Sequence, residues 1–130
     1  MEKCGVVAVV IYNGKILLGK KRSDSKKFLA GKWHIPGETI EFGEDDKTTL
    51  IRGIKEEAGL EICVGDYIGN SLSPNKHNLR WYECFARSDK IFAGSDLEDV
   101  KWVEKNEVLN SVDSLLFSLW PEEIKKYFIS

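Results

Sequence analysis

The chain has 130 residues, 42% hydrophobic and 31% charged, a mixture that suits one globular domain and excludes a disordered, collagen-like or Pro-rich chain. Nineteen Lys and Arg against 21 Asp and Glu leave a net charge of −2, which excludes a dedicated binder of nucleic-acid polymers or anionic membranes. A small phosphorylated ligand held at one local site stays compatible with that balance. Cys4, Cys63 and Cys84 are odd in number, widely spaced and without a CxxC pair, so neither a zinc ribbon nor a disulfide framework is expected. They read as reduced, mostly buried cysteines of a cytoplasmic protein. The longest apolar run, from Val6 to Tyr12, is seven residues. A membrane-spanning helix needs about 20, and the flanks of a signal peptide are missing, so a soluble protein is expected.

In chain order, residues 5–12 form a β-branched run that predicts a strand buried on both faces. Asn13-Gly14 is a hairpin signal, because both central positions of a type I′ turn need positive φ, and residues 15–19 read as the returning strand. The polar stretch 20–32 carries Lys20, Lys21, Arg22, Lys26, Lys27 and Lys32 against Asp24, either as a solvated loop or as a source of cations for an anionic substrate. Residues 33–37 are a short extended piece ending in a turn. A helix is predicted from Asp45 to Ala58, with Thr48, Leu50, Ile51, Ile54 and Ala58 as its apolar stripe and Gly59 at the stop position. Residues 61–72 and 78–87 read as strands around a Ser73-Pro74-Asn75 turn, and 100–103 as another short strand after a loop. Helices are predicted over 111–120 and, after Pro121, over 122–128. The pattern lacks the crossovers of an all-parallel sheet, so the class is α/β with mixed pairing.

Charge is distributed unevenly. Between Glu38 and Glu61 there are eight acids (Glu38, Glu41, Glu44, Asp45, Asp46, Glu56, Glu57 and Glu61) and three bases, Lys47, Arg52 and Lys55. Like charges on one helix destabilise it unless something compensates. Glu56 and Glu57, packed against a turn at Gly37, could converge on a hard divalent cation, which takes oxygen ligands. Arg52 precedes Glu56 by one helical repeat on the same face and can brace its carboxylate. A solvated acidic face is the alternative.

The spacing of these residues decides between the two. Glu44, Arg52, Ile54, Glu56, Glu57, Gly59 and Leu60 match seven of the nine specified positions of a 23-residue pattern starting at Glu38. The segment thereby resembles the box of the Nudix hydrolases: Gly, five residues, Glu, seven residues, then Arg-Glu-aliphatic-x-Glu-Glu-x-Gly-aliphatic. Two positions depart from it. Glu38 stands where the box has its first Gly, and Gly53 stands where it has the first Glu of the helix. Either another carboxylate substitutes or activity is low.

The resemblance implies an α/β/α sandwich with a mixed sheet, a single Nudix domain over residues 1–130. It implies magnesium or manganese held by Glu56, Glu57 and the Gly37 carbonyl, with Glu44 supporting the cluster or holding a second ion through water, and Arg52 orienting Glu56. The activity implied is attack of water on a phosphorus of a nucleoside-linked diphosphate, most simply a nucleoside triphosphate. Family members often recruit a further Glu from outside the box; Glu98 is the first candidate here, with Asp96 and Asp99 behind it. Lys21 and Arg22 are candidates for the substrate phosphates, and Trp33, Trp81 and Tyr82 for stacking on a base, with core packing as the alternative for each aromatic. The expected partner is a small nucleotide, with no membrane and no nucleic-acid polymer, and a homodimer is left open. A weakened nucleotide-binding sensor, a nucleoside-diphosphate-sugar or ADP-ribose hydrolase, and a protein-interaction domain are the competing readings.

Overall fold

The structure, a computed structural model, describes residues 4–26 and 29–129. Lys27, from the basic stretch, lies outside them. Strand β1 (Cys4–Tyr12) and strand β2 (Lys15–Lys21) are joined by Asn13 and Gly14, whose φ angles of 50° and 77° are those the hairpin turn requires. The two strands pair only beside the turn, at Ile11–Ile16 and Tyr12–Lys15, and then take different neighbours. β1 pairs antiparallel with β4 (Gly37–Thr39) and parallel with β6 (Asn78–Ala86), which in turn pairs antiparallel with β5 (Ile62–Leu72). β2 pairs antiparallel with β3 (Trp33–His34) and with β7 (Leu97–Glu104). The result is one seven-stranded mixed sheet.

β1 is buried on both sides, as its unbroken β-branched run requires. Val6, Ala8 and Val10 face helix α1 (Asp46–Ala58) and meet Leu50, Ile54 and Ala58. Val7 and Val9 face the opposite layer, where Trp81, Val108, Val112, Ile124 and Phe128 close a second core. That layer consists of a 3₁₀ turn at Lys105–Glu107 and the helices α2 (Val108–Ser111), α3 (Ser114–Phe117) and α4 (Glu122–Ile129). The architecture is the α/β/α sandwich expected from sequence.

α1 is closed at both ends by local chemistry. The Asp45 side chain accepts from the Thr48 amide at 2.8 Å, and Gly59, at φ 72°, donates its amide to the Lys55 carbonyl. The first turn is also tied to the sheet, because Asp46 accepts two bonds from Arg80 (2.7 and 2.6 Å) and one from the Tyr82 hydroxyl.

Four expectations change. The buried face of α1 includes Thr49 rather than Thr48, because the Thr49 hydroxyl reaches the Asp45 carbonyl and the Glu44 carboxylate. The helix predicted over 111–120 is broken, with Val112 extended (φ −81°, ψ 155°) so that its side chain enters the core and Asp113 recaps the chain at the Leu115 amide. β7 is longer than 100–103, since β2 offers it a full row of partners. Of the cysteines only Cys84 is buried; Cys63 is exposed and Cys4 intermediate. Among the described residues no helix is long and apolar enough to cross a membrane.

Candidate active site

β4 and the outer turns of α1 meet along a cleft of about 610 Å³, a size suited to a small ligand. Gly37 and Glu38 line it from β4, Arg52, Glu56 and Glu57 from α1, Lys21 from the end of β2, and Asp96 from the loop before β7. Below its floor lie Val6, Ala8, Leu50 and Ile54, so a carboxylate at that depth touches hydrocarbon on one side.

Glu57 is that carboxylate. It is only 5% exposed, and burial pushes its pKa up to about 8, helped by the negative charges of Glu38, Asp96 and Glu56 and opposed by Lys21. Glu38 shifts in the same direction, first through burial and then through Glu56 and Asp96, while the Thr39 amide and Arg52 hold it back. Several carboxylates thus face one space without enough positive charge to satisfy them, which is an electrostatic invitation to a cation.

Arg52 satisfies a different acid. Its Nε and Nη2 donate to Glu44 at 2.8 and 2.9 Å, a bidentate pair that pulls Glu44 down to about 2, assisted by the Glu41 amide and the Thr49 hydroxyl. Nη1 reaches Glu56 at 3.4 Å, Glu41 at 3.7 Å and Glu38 at 3.8 Å. Arg52 is therefore near Glu56, as expected, but its tightest hold is on Glu44. Glu44 is locked as a brace between Arg52 and Thr49 and does not line the cleft.

The remaining candidates separate. Lys21 lies in the cleft and pairs with Asp96. Arg22 is turned out to solvent on Asp24 at 3.0 Å. Glu98 is not brought to the cleft: it accepts from the Ser23 amide and hydroxyl, pairs with Lys20 at 3.3 Å, and lines a separate recess with Arg22 and Asp24. The cause is a β-bulge. Lys20 faces Asp99 and Lys21 faces Leu97, so Glu98 is the unpaired extra residue and Asp96 is the loop acid that reaches the cleft. Trp33 does not line the cleft; Lys101 lies 4.1 Å above its ring. Trp81 is core, donating its indole N–H to Ser71, and Tyr82 is committed to Asp46.

This arrangement sits on a fold that has relatives. A family profile described as the NUDIX domain matches residues 3–125. The chain belongs to the Nudix hydrolase family. A Mycobacterium tuberculosis protein named "Putative 8-oxo-dGTP diphosphatase 2" is 34% identical over 112 residues, covering 75% of this chain and 79% of that one. A "CTP pyrophosphohydrolase" of Escherichia coli is 35% identical over 65 residues, covering 50% of this chain and 47% of that one. Among solved structures, a NUDIX hydrolase from Nitrosomonas europaea superposes with a TM-score of 0.79 at 19% identity, over 98% of this chain and 70% of that one.

The Nudix family implies a divalent metal ion, and the donor set can be tested against it. Oxygen donors dominate the polar lining of the cleft, with Glu38, Glu41, Glu56, Glu57, Asp96 and the Gly37 backbone set beside Cys4, His34 and His77. Among the described residues no three Asp, Glu, His or Cys side chains already close on one point as a chelate. That combination fits a hydrated hard cation held by one or two carboxylates, the habit of magnesium, better than a dry cage.

Proposed function

We propose that this Nudix domain is a divalent-metal-dependent pyrophosphohydrolase of nucleoside triphosphates. The observation that carries the reading is the buried Glu57 facing a ligand-sized cleft with Glu38 and Glu56 on one side and Lys21 on the other. Glu56, Glu57 and the Gly37 carbonyl would hold magnesium or manganese. When bound, such an ion polarises phosphoryl oxygens and lowers the pKa of water. The names of the relatives, a diphosphatase and a pyrophosphohydrolase of nucleoside triphosphates, support the substrate class.

The chain's own residues have distinct tasks. Lys21, freed from Asp96, presents a cation to the polyphosphate. Arg52 stays on Glu44 and holds the helix face rigid. A carboxylate of the cleft takes the proton that water loses as its oxygen bonds to phosphorus, and the bridging P–O bond breaks with its electron pair leaving on pyrophosphate. Asp96 reaches the cleft and Glu98 does not, so Asp96 is the loop acid assigned to the site. A panel of nucleoside triphosphates, nucleoside-diphosphate sugars and ADP-ribose, assayed with magnesium or manganese for released phosphate and pyrophosphate, tests the reading. Turnover of a triphosphate with pyrophosphate release is the expected result. Binding without turnover of any of them would replace it with a nucleotide sensor.

A further inference from the structure

Two departures from the family's box, 15 positions apart in sequence, meet in space. A Cβ placed on Gly53 would lie 2.9 Å from the Glu38 Cβ, 3.1 Å from its Cγ and 3.5 Å from its Oε2. The side chain of Glu38 therefore fills the space in which a residue-53 side chain would begin. The box has Gly then Glu at these two places, and this chain has Glu then Gly. A side chain at position 53 would force Glu38 or the strand that carries it to shift, because the two Cβ atoms would stand closer than packed carbon atoms do.

Glu38 has no conformational reason to be glycine. It lies in β4 opposite Val6, and the described non-glycine residues with positive φ are Asn13, Lys76 and Ser95. Its carboxylate is oriented from two sides, with Oε1 accepting from the Thr39 amide at 3.1 Å and Oε2 lying 3.8 Å from the same Arg52 nitrogen that reaches Glu56. It lines the cleft beside Glu56 and Glu57.

We propose that Glu38 supplies, from strand β4, the metal-facing carboxylate that the box normally places on the helix at position 53, so that the site is complete by reciprocal exchange rather than degenerate. This rests on the metal-dependent reading above. It also explains why a helix tolerates glycine at its buried face: Gly53 is the clearance for Glu38, and its poor helix propensity is the consequence.

The test is calorimetric titration of the full chain with manganese, together with metal-free thermal melts, for wild type, Glu38→Gln, Gly53→Glu, the Glu38→Gly/Gly53→Glu double variant and Glu57→Gln. Glu38→Gln should weaken manganese about 10–100-fold with an unchanged melt, a loss of the size seen when groups around a metal are removed. Gly53→Glu alone should lower the metal-free Tm, because its Cβ collides with Glu38. The double variant should recover both the Tm and the manganese affinity. Wild-type affinity in Glu38→Gln, with affinity lost in Glu57→Gln, would overturn the exchange and leave the metal reading standing. Failure of the double variant to recover affinity while its Tm recovers would also overturn it. If the wild type binds no manganese, the metal reading falls and takes the exchange with it.

Discussion

Glu57 and Glu44 are two carboxyls of the same box with opposite electrostatic fates, and each makes a pH prediction of its own sign. Without a cation, folded Glu57 keeps its proton to about pH 8, whereas the unfolded chain loses it near 4.5. Between those values the folded state holds more protons, so stability falls as pH rises, by at most about 1.4 kcal/mol per pH unit. Glu57→Gln removes that slope. Denaturant unfolding in chelator should show the variant gaining on wild type more at pH 8 than at pH 5, and an equal gap at both would refute the assignment. Glu44 runs the other way, since Arg52 holds its folded pKa at about 2, below the ordinary 4.5. Its contribution is complete above 4.5 and fades as pH falls from there to 2. Arg52→Ala should therefore lower Tm at pH 7 and flatten the acid limb of the stability profile. Arg52→Lys should rescue little, because a lysine cannot make the bidentate bond.

At the scale of elements, the loop after β6 is what carries Asp96 to the cleft, and it is docked on the end of α1. The Phe92 amide donates to the Ala58 carbonyl and the Gly94 amide to the Glu57 carbonyl at 2.9 Å. A Cβ on Gly94 would stand 2.4 Å from the Glu56 carbonyl oxygen, so the close approach requires glycine there. Gly94→Ala should push the loop away from the helix, lowering Tm modestly and, with the role proposed for Asp96, turnover more, about tenfold or beyond, because a small misplacement of a reacting group is costly. Kinetics beside thermal melts on the same preparation separate the two effects. Turnover lost only in proportion to folded protein would show that loop docking is structural alone.

Across the whole molecule, the sheet is held between two cores that serve different ends. The α1 core lies under the cleft, while the core of Trp81, Val108, Ile124 and Phe128 lies on the far side of the sheet. Phe128 is 1% exposed and packs edge-to-face with Trp81 and at a tilt against Trp120. Phe128→Ala should cost about 3–5 kcal/mol in stability yet leave manganese affinity of the folded fraction unchanged. In contrast, manganese at a hundredfold excess over its dissociation constant should stabilise the wild type by about 2.7 kcal/mol and Glu57→Gln hardly at all. A thermal-shift series over manganese concentration reads both.

Some of this was legible in the chain itself. The double-sided strand, the Asn13-Gly14 hairpin, the helix stop at Gly59 and the spacing of Arg52, Glu56 and Glu57 were all determined by sequence alone. Each depends on chemistry within a few residues: side-chain period, the φ a turn demands, the amide a cap must satisfy. What only the tertiary structure decided depends on partners far along the chain. A bulge in the β2–β7 pairing turned Glu98 away and brought Asp96 in, although both sit in one acidic run. The need to bury Val112 split a segment whose spacing suits one helix. Arg52 took Glu44 as its closest partner because Thr49 and the Glu41 amide hold that carboxylate in place. Glu38 and Gly53 look like two independent defects in a motif until β4 is laid against α1, because only packing shows that two distant Cβ positions compete for one volume.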